Sequence, residues 1–271
     1  MNWLSLFDKA KEITAEQARD YLGSQAPDSL QLIDVRQPKE YEDAHIPGAI
    51  LIPLNDLPRR IGEIAADRNT IVYCRSGARS SAACQILTEY QFRNVLNLRG
   101  GMLQWQGQRA IGDENRGLEY FVSGNFASAF AMALQMEAGL KQFYLLLAGA
   151  TDVLANKELL QYMAKLEDGH MAKLRARHQH VDASLPESIP PDVVEGGMNP
   201  RDFTEAFHGH LDSQASILQL AMMFEAQALD LYSRLARRHT ELEARSFFLQ
   251  MAVEEQKHLD RLASELDKLM S

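Results

Sequence analysis

Residues 120–271 contain an internal repeat, and no other feature of the chain limits its fold as strongly. Shifted by 88 residues, Glu137 falls on Glu225, Tyr144 on Tyr232, Glu167 on Glu255 and His170 on His258. Apolar positions follow the same shift: Ala138/Ala226, Leu147/Leu235, Met163/Met251, Ala164/Ala252 and Leu174/Leu262. The repeated unit reads as a helical hairpin, because the pattern is helical over about 124–150, 154–179, 212–238 and 241–269. The links within each pair are short, which makes the paired helices antiparallel. The link between the second and third, about 180–211, contains Pro186, Pro190, Pro191, Gly196, Gly197 and Pro200. A connection that long can run the length of a bundle and leave helices two and three parallel.

The polar residues kept by the repeat are those that bind metals. Glu167 and His170, like Glu255 and His258, are spaced i, i+3, so both side chains lie on one helix face. Glu137 and Glu225 are lone acids near the middle of apolar helices. Burying four carboxylates without compensation is prohibitive, and two divalent cations would offset their charge. The candidate ligands are therefore Glu137, Glu167, His170, Glu225, Glu255 and His258. A donor set of oxygen and nitrogen suits iron or manganese and disfavours a thiolate metal. Tyr144 and Tyr232 lie seven residues past a ligand, on the same face, and are candidate hydrogen-bond donors to the carboxylates. The pairs His178/His180 and His208/His210 fall at opposite ends of parallel helices in this arrangement and read as surface residues.

One glutamate plus Glu-x-x-His, duplicated, resembles the rubrerythrin and ferritin-like family over roughly residues 120–270. The resemblance implies a four-helix bundle holding two iron ions, with manganese or a mixed pair as alternatives on the same ligands. It implies that Glu167 and Glu255 bridge the metals. Glu137 and His170 then complete one site, and Glu225 and His258 the other. It also implies redox activity towards peroxide, dioxygen or sulfur species. Ala228 stands where rubrerythrins often carry a further glutamate, and the paired-cysteine motifs of a rubredoxin domain are absent. The electron donor implied is therefore external.

The first 110 residues follow a different pattern. Short apolar runs at Gln31–Val35, Ala49–Ile52, Thr70–Cys74 and Val95–Leu98 read as strands, alternating with helical stretches such as Ala78–Tyr90. Thr14-Ala-Glu-Gln17 is a capping box that opens the first helix. Alternation of this kind predicts a mostly parallel sheet with helices on both faces. Cys74-Arg75-Ser76-Gly77-Ala78-Arg79 follows a strand and opens a helix, so its backbone N–H groups form a cradle for an anion. The helix dipole, with Arg75 and Arg79, is expected to lower the Cys74 thiol pKa. Cys84, on the following helix, reads as a buried structural thiol.

This half resembles a single-domain rhodanese over about residues 10–108. The matching pieces are Ile33-Asp34-Val35-Arg36 with Glu40-Tyr41, His45-Ile46-Pro47-Gly48-Ala49, the Cys74 loop, and Leu98-Arg99-Gly100-Gly101-Met102 with Trp105. The resemblance implies that Cys74 takes sulfane sulfur from a small-molecule donor as a persulfide and passes it to a thiophilic acceptor. Arg79 then acts in catalysis, and Arg75, Ser76, Gly77, Ala78 and Arg79 bind the anion. The Cys-to-Arg span of six residues is the sulfurtransferase size.

The expected organisation is an α/β rhodanese-like domain over 1–110, a linker over 111–119 and an all-α ferritin-like bundle over 120–271. The net charge of −9 argues against nucleic acid. No run of 18 apolar residues occurs, so no membrane span is expected. The N-terminal apolar run is too short for a signal peptide, and two cysteines suit a reducing, cytoplasmic setting. The reading is a sulfurtransferase, thiosulfate sulfurtransferase-like, fused to a di-iron oxidoreductase or peroxidase. The alternative is a non-catalytic bundle that binds or senses iron, with the rhodanese-like half as a docking module. Assembly as a homodimer is left open.

Overall fold

Leu32, Ile33, Ile71, Val72 and Tyr73 are all buried, yet they belong to two different apolar cores. This is the signature of a sheet covered on both faces, because successive side chains on a strand point to opposite sides. The computed structural model describes residues 10–24, 29–121, 126–177, 194 and 213–270. The chain divides into two units, Met1–Glu114 and Asn115–Ser271.

In the first unit five strands form one parallel sheet: β1 Glu12–Ile13, β2 Leu30–Asp34, β3 Ile50–Leu51, β4 Asn69–Tyr73 and β5 Val95–Leu98, in the order β1-β5-β4-β2-β3. Leu32 pairs with Ile71 and Ile33 with Val72, so each pair supplies one core. Ile71 and Tyr73 pack with Ala18 of helix α1 (Ala15–Ser24) and Tyr41 of α2 (Pro38–Asp43). Val72 and Cys74 pack with Leu57 of α3 (Leu57–Arg60) and with Ala83, Cys84 and Leu87 of α4 (Ala78–Glu89). The capping box forms: Thr14 N–H donates to Gln17 Oε1 at 3.1 Å, and Gln17 N–H to Thr14 Oγ1 at 3.2 Å. Four of the five strands coincide with apolar runs visible in the sequence. β1 does not, because two residues carry no periodicity.

The short motifs of this half build the frame around the Cys74 loop. Arg36 forks onto Asp34 and donates to Ala44 O at 2.7 Å, while its guanidinium lies 5.5 Å from the Tyr73 ring centre. His45 stacks on Tyr41 at 3.6 Å, and the Tyr73 hydroxyl accepts from Ile46 N–H. Helix α5 (Gly101–Gln104) follows β5.

The second unit holds four long helices among the described residues: α6 Phe126–Ala150, α7 Leu154–Arg177, α8 Gln214–Arg238 and α9 Leu242–Met270. α6 packs on α7 and α8 on α9, and the hairpins meet through α7 with α8 and α6 with α9. Two apolar clusters fill the bundle. One takes Ala129–Met136 of α6, Met171 and Leu174 of α7, Ala228–Ala236 of α8 and Ala244–Ala252 of α9. The other takes Leu140–Ala148, Leu160–Ala164, Ile217–Ala226 and Leu259–Leu262 of the same helices, with Val194. Following each helix between the clusters gives its direction. α7 and α8 run the same way and α6 and α9 the other, which is the topology the long connection implies. The segment 178–193 and 195–212, with His178, His180, His208 and His210, lies outside the described residues. No described helix is long and apolar enough to cross a membrane.

Candidate functional site

Four carboxylates sit at the seam between the two bundle clusters. Glu137, Glu167, Glu225 and Glu255 are each at most 2% exposed. The helix spacing does its part: Glu167 and His170 share one face of α7, and Glu255 and His258 one face of α9. His170 Nδ1 lies 3.0 Å from Glu167 Oε2 and 3.5 Å from Glu137 Oε2. His258 Nδ1 lies 3.0 Å from Glu255 Oε2 and 3.3 Å from Glu225 Oε2. Within each of the triads Glu137/Glu167/His170 and Glu225/Glu255/His258, one donor atom per residue lies within 4.8 Å of the others. The two imidazoles stack against each other, so the triads adjoin.

These residues fit a pair of divalent cations. Glu137 Oε2 is buried and receives no hydrogen bond, a costly state for a carboxylate in an apolar bundle unless a cation faces it. Burial pushes the Glu225 carboxyl up, but hydrogen bonds with His258 and Glu255 and the nearby imidazoles bring it below its ordinary value. Lys141 Nζ meets Asp168 at 2.6 Å and ties α6 to α7 beside the first triad. A pocket opens from the cluster to the surface between α7 and α9, lined by Lys173, Leu174, Arg177, Met251 and Glu254 above the ligand side chains.

Tyr144 and Tyr232 are both fully buried, but they fall in opposite clusters, Tyr232 with its ring 6.3 Å from Phe248. Ala228 is fully buried among apolar residues, so no further acid enters the centre there.

In the first unit Cys74 directly follows β4 and is buried. Gly77, at φ 98°, lets the loop turn its N–H onto Cys74 Sγ at 3.1 Å, and Ser80 Oγ lies 3.5 Å from the sulfur. Burial pushes the thiol up. Hydrogen bonds from the Ser80 side chain and from the N–H groups of Ser80, Ser76 and Gly77 more than offset that, and the Cys74 pKa falls below its ordinary value. Of the two arginines expected to help, Arg79 interacts electrostatically with Cys74. Arg75 points out to solvent, and Arg79 forks onto Glu40 with both contacts at 2.7 Å. Glu40 in turn is pulled down to about 2, first by that Arg79 hydrogen bond. Ala78 is exposed at the first turn of α4. Cys84 is buried with its pKa pushed up to about 12 by burial and by Cys74, as a structural thiol should be.

Comparison with known proteins divides the chain at the same place. A family model described as Rubrerythrin matches residues 129–266, and one described as Rhodanese-like domain matches residues 14–108. The chain belongs to the rubrerythrin family and carries a rhodanese-like domain ahead of its bundle. The first half is similar to a sulfurtransferase of Allochromatium vinosum, 44% identical over 78 residues, covering 29% of this chain and 73% of that one. It is also similar to the thiosulfate sulfurtransferase PspE of Escherichia coli, 41% identical over 70 residues, covering 25% and 67%. Other curated relatives are spanned over 51% and 62% of their length. Among solved structures, a rhodanese-like domain protein of Staphylococcus aureus aligns at 27% identity and TM-score 0.35, covering 38% of this chain and 99% of that one.

Rubrerythrin membership implies a di-iron centre, and both triads lie inside the matched span. Three features of the two sites depend on contacts between segments distant in the sequence. Ser80 Oγ contacts Asn97 Oδ1 at 2.6 Å as well as the sulfur, so Asn97 of β5 sits behind the loop. Gly101, at φ 54°, brings backbone against the Cys74 loop: Met102 N–H donates to Cys74 O and Leu103 N–H to Arg75 O. Lys173 and Arg177 stand over the metal pocket of the rubrerythrin bundle.

Proposed function

We propose that the rubrerythrin bundle is a redox centre that reduces peroxide or dioxygen, and that the rhodanese-like domain transfers sulfane sulfur through Cys74. The observation that supports the first part is the pair of adjoining buried triads, six oxygen and nitrogen donors with four acids in an otherwise apolar bundle. Two irons held there would supply Lewis acidity and one electron each. Glu137 and His170 would hold one ion, Glu225 and His258 the other, and Glu167 and Glu255 would be shared between them. The apolar clusters on either side limit water to the pocket between α7 and α9. Reducing hydrogen peroxide to two waters takes two electrons and two protons, and an external donor such as a thiol pair supplies them.

For sulfur transfer, the Cys74 thiolate attacks the outer sulfur of a donor such as thiosulfate. The S–S bond of the donor breaks, sulfite leaves with the electron pair, and Cys74 holds the sulfur as a persulfide. The N–H groups of Ser76, Gly77 and Ser80 stabilise the anion. A thiophilic acceptor such as cyanide then attacks the terminal sulfur and regenerates the thiolate. Arg79, held by Glu40, fixes the first turn of α4.

Metal analysis of protein purified without chelator tests the first part: about two irons per chain with peroxide turnover supports it. Metal without turnover points to storage or sensing. No metal even after iron reconstitution overturns the di-iron reading. A thiosulfate:cyanide assay tests the second part, which fails if Cys74→Ser transfers sulfur as well as the unaltered protein.

A further inference from the structure

We infer that the pocket between α7 and α9 admits a small anion to the metal centre and that Lys173 and Arg177 draw it in. This rests on the di-iron reading and adds a substrate class to it. The floor of the pocket is made of ligand side chains, and Leu174 and Met251 line its walls. Lys173 and Arg177 are exposed and lie four residues apart, on one face of α7 at the rim. The rim acid among the described residues is Glu254, and it is already engaged. Lys257 Nζ is 2.9 Å from it and Arg177 Nη1 3.9 Å.

Charge balance decides what such a pocket attracts. Four ligand carboxylates are neutralised by two divalent ions, so the loaded floor no longer repels an anion. The rim then dominates, with Lys173 and Arg177 against Glu254, whose charge Lys257 also offsets. The chain as a whole carries −9, so this cationic rim is a local exception. Apolar walls reduce screening inside the pocket and strengthen the pull.

The repeat shows that the rim is not a by-product of the bundle. The positions matching Glu254, Lys173 and Arg177 in the other half are Leu166, Arg261 and Glu265. Arg261 is held against the Tyr162 hydroxyl and ring, and Glu265 pairs with Lys268 at 2.8 Å. The two sides of the centre therefore differ in charge. Small monoanions of the size of azide or hydrosulfide suit the basic side, and hydrosulfide suits a chain whose other domain resembles sulfurtransferases. Neutral peroxide gains nothing from the rim.

The test uses the full-length, iron-loaded protein. Azide is titrated into the oxidised form by visible absorption, and neutral nitric oxide into the reduced form. Lys173→Gln with Arg177→Gln should weaken azide by roughly tenfold, flatten its dependence on salt and leave nitric oxide unchanged. The charge-conserving pair Lys173→Arg with Arg177→Lys should restore azide affinity. Equal azide affinity in the glutamine variant overturns the inference, and so does equal weakening of both probes, which would report damage to the centre. If the protein holds no iron, metal analysis alone shows that the di-iron reading has failed and the inference falls with it.

Discussion

The imidazoles of His170 and His258 stack with centroids 3.7 Å apart and planes 5° apart. One ring comes from each half of the repeat, so the stack marks where the two halves meet at the candidate centre. Each Nδ1 stays within 3.0 Å of the glutamate three residues earlier on its own helix. Neither ring can turn away without losing both the stack and that contact.

The buried acids give a substitution whose effect changes sign with metal. In metal-free protein, Glu137→Gln removes a buried charge with an unsatisfied oxygen and should stabilise the bundle by about 1–3 kcal/mol. In metal-loaded protein the same change should weaken binding by roughly tenfold or more and lower the melting temperature. Thermal denaturation with and without chelator reads both. Destabilisation of equal size in the two states would mean that Glu137 faces no cation.

Chelation alone should act on one unit. A metal bound at about a hundred times its dissociation constant adds about 2.7 kcal/mol to the state that binds it. Removing it should lower the bundle transition followed by helical circular dichroism. The alkylation rate of native Cys74, which sits in the other unit, should not change.

The two thiols should separate by reactivity. Alkylation of Cys74 by iodoacetamide should rise with pH through a midpoint below the ordinary thiol value of 9.0, while Cys84, with a pKa of about 12, stays unmodified in the native state. Ser80→Ala removes the largest contribution that lowers the Cys74 pKa, so its midpoint should move up. Mass spectrometry of the alkylated protein across pH measures both, and an unmoved midpoint in Ser80→Ala would discard the assigned cause.

Gly101→Ala should break the loop rather than trim it. A Cβ there would lie 2.2 Å from Cys74 O, at a φ that side chains rarely adopt. The expected cost is about 2–4 kcal/mol, with sulfur transfer lost in step. Urea denaturation of the variant, beside the transfer assay, distinguishes this from a purely local effect.

Acid should weaken the first unit through Glu40. Its folded pKa is about 2 against an ordinary 4.5, so the native state favours the ionised form. The stability it contributes is present above pH 4.5 and is lost as pH falls towards 2. The group is partly exposed, which keeps the effect small. Glu40→Gln should remove this part of the acid sensitivity, seen as a flatter plot of denaturation midpoint against pH.

How much of this was legible in the sequence depends on how local the determinant is. Glu-x-x-His fixes its own geometry on a helix, so the spacing alone placed Glu167 beside His170 and Glu255 beside His258. The capping box at Thr14 and Gln17 is local in the same way. The ion pair of Arg79 has no local signal, because its partner Glu40 lies 39 residues away on another helix. Asn97 reads as an ordinary strand residue until β5 pairs with β4 and brings it behind Ser80. Arg177 and Glu254 are plain surface charges in the sequence, and only the packing of α7 near α9 turns them towards one opening.

The two triads belong to different hairpins: Glu137, Glu167 and His170 to α6 and α7, Glu225, Glu255 and His258 to α8 and α9. Each hairpin thus brings a full set of three donors, and carboxylates that reach both ions would fasten one hairpin to the other. Iron supply would then govern how firmly the halves of this bundle stay clasped. A chain nicked in the connection between α7 and α8 would keep its apolar clusters but hold its halves less firmly when starved of metal.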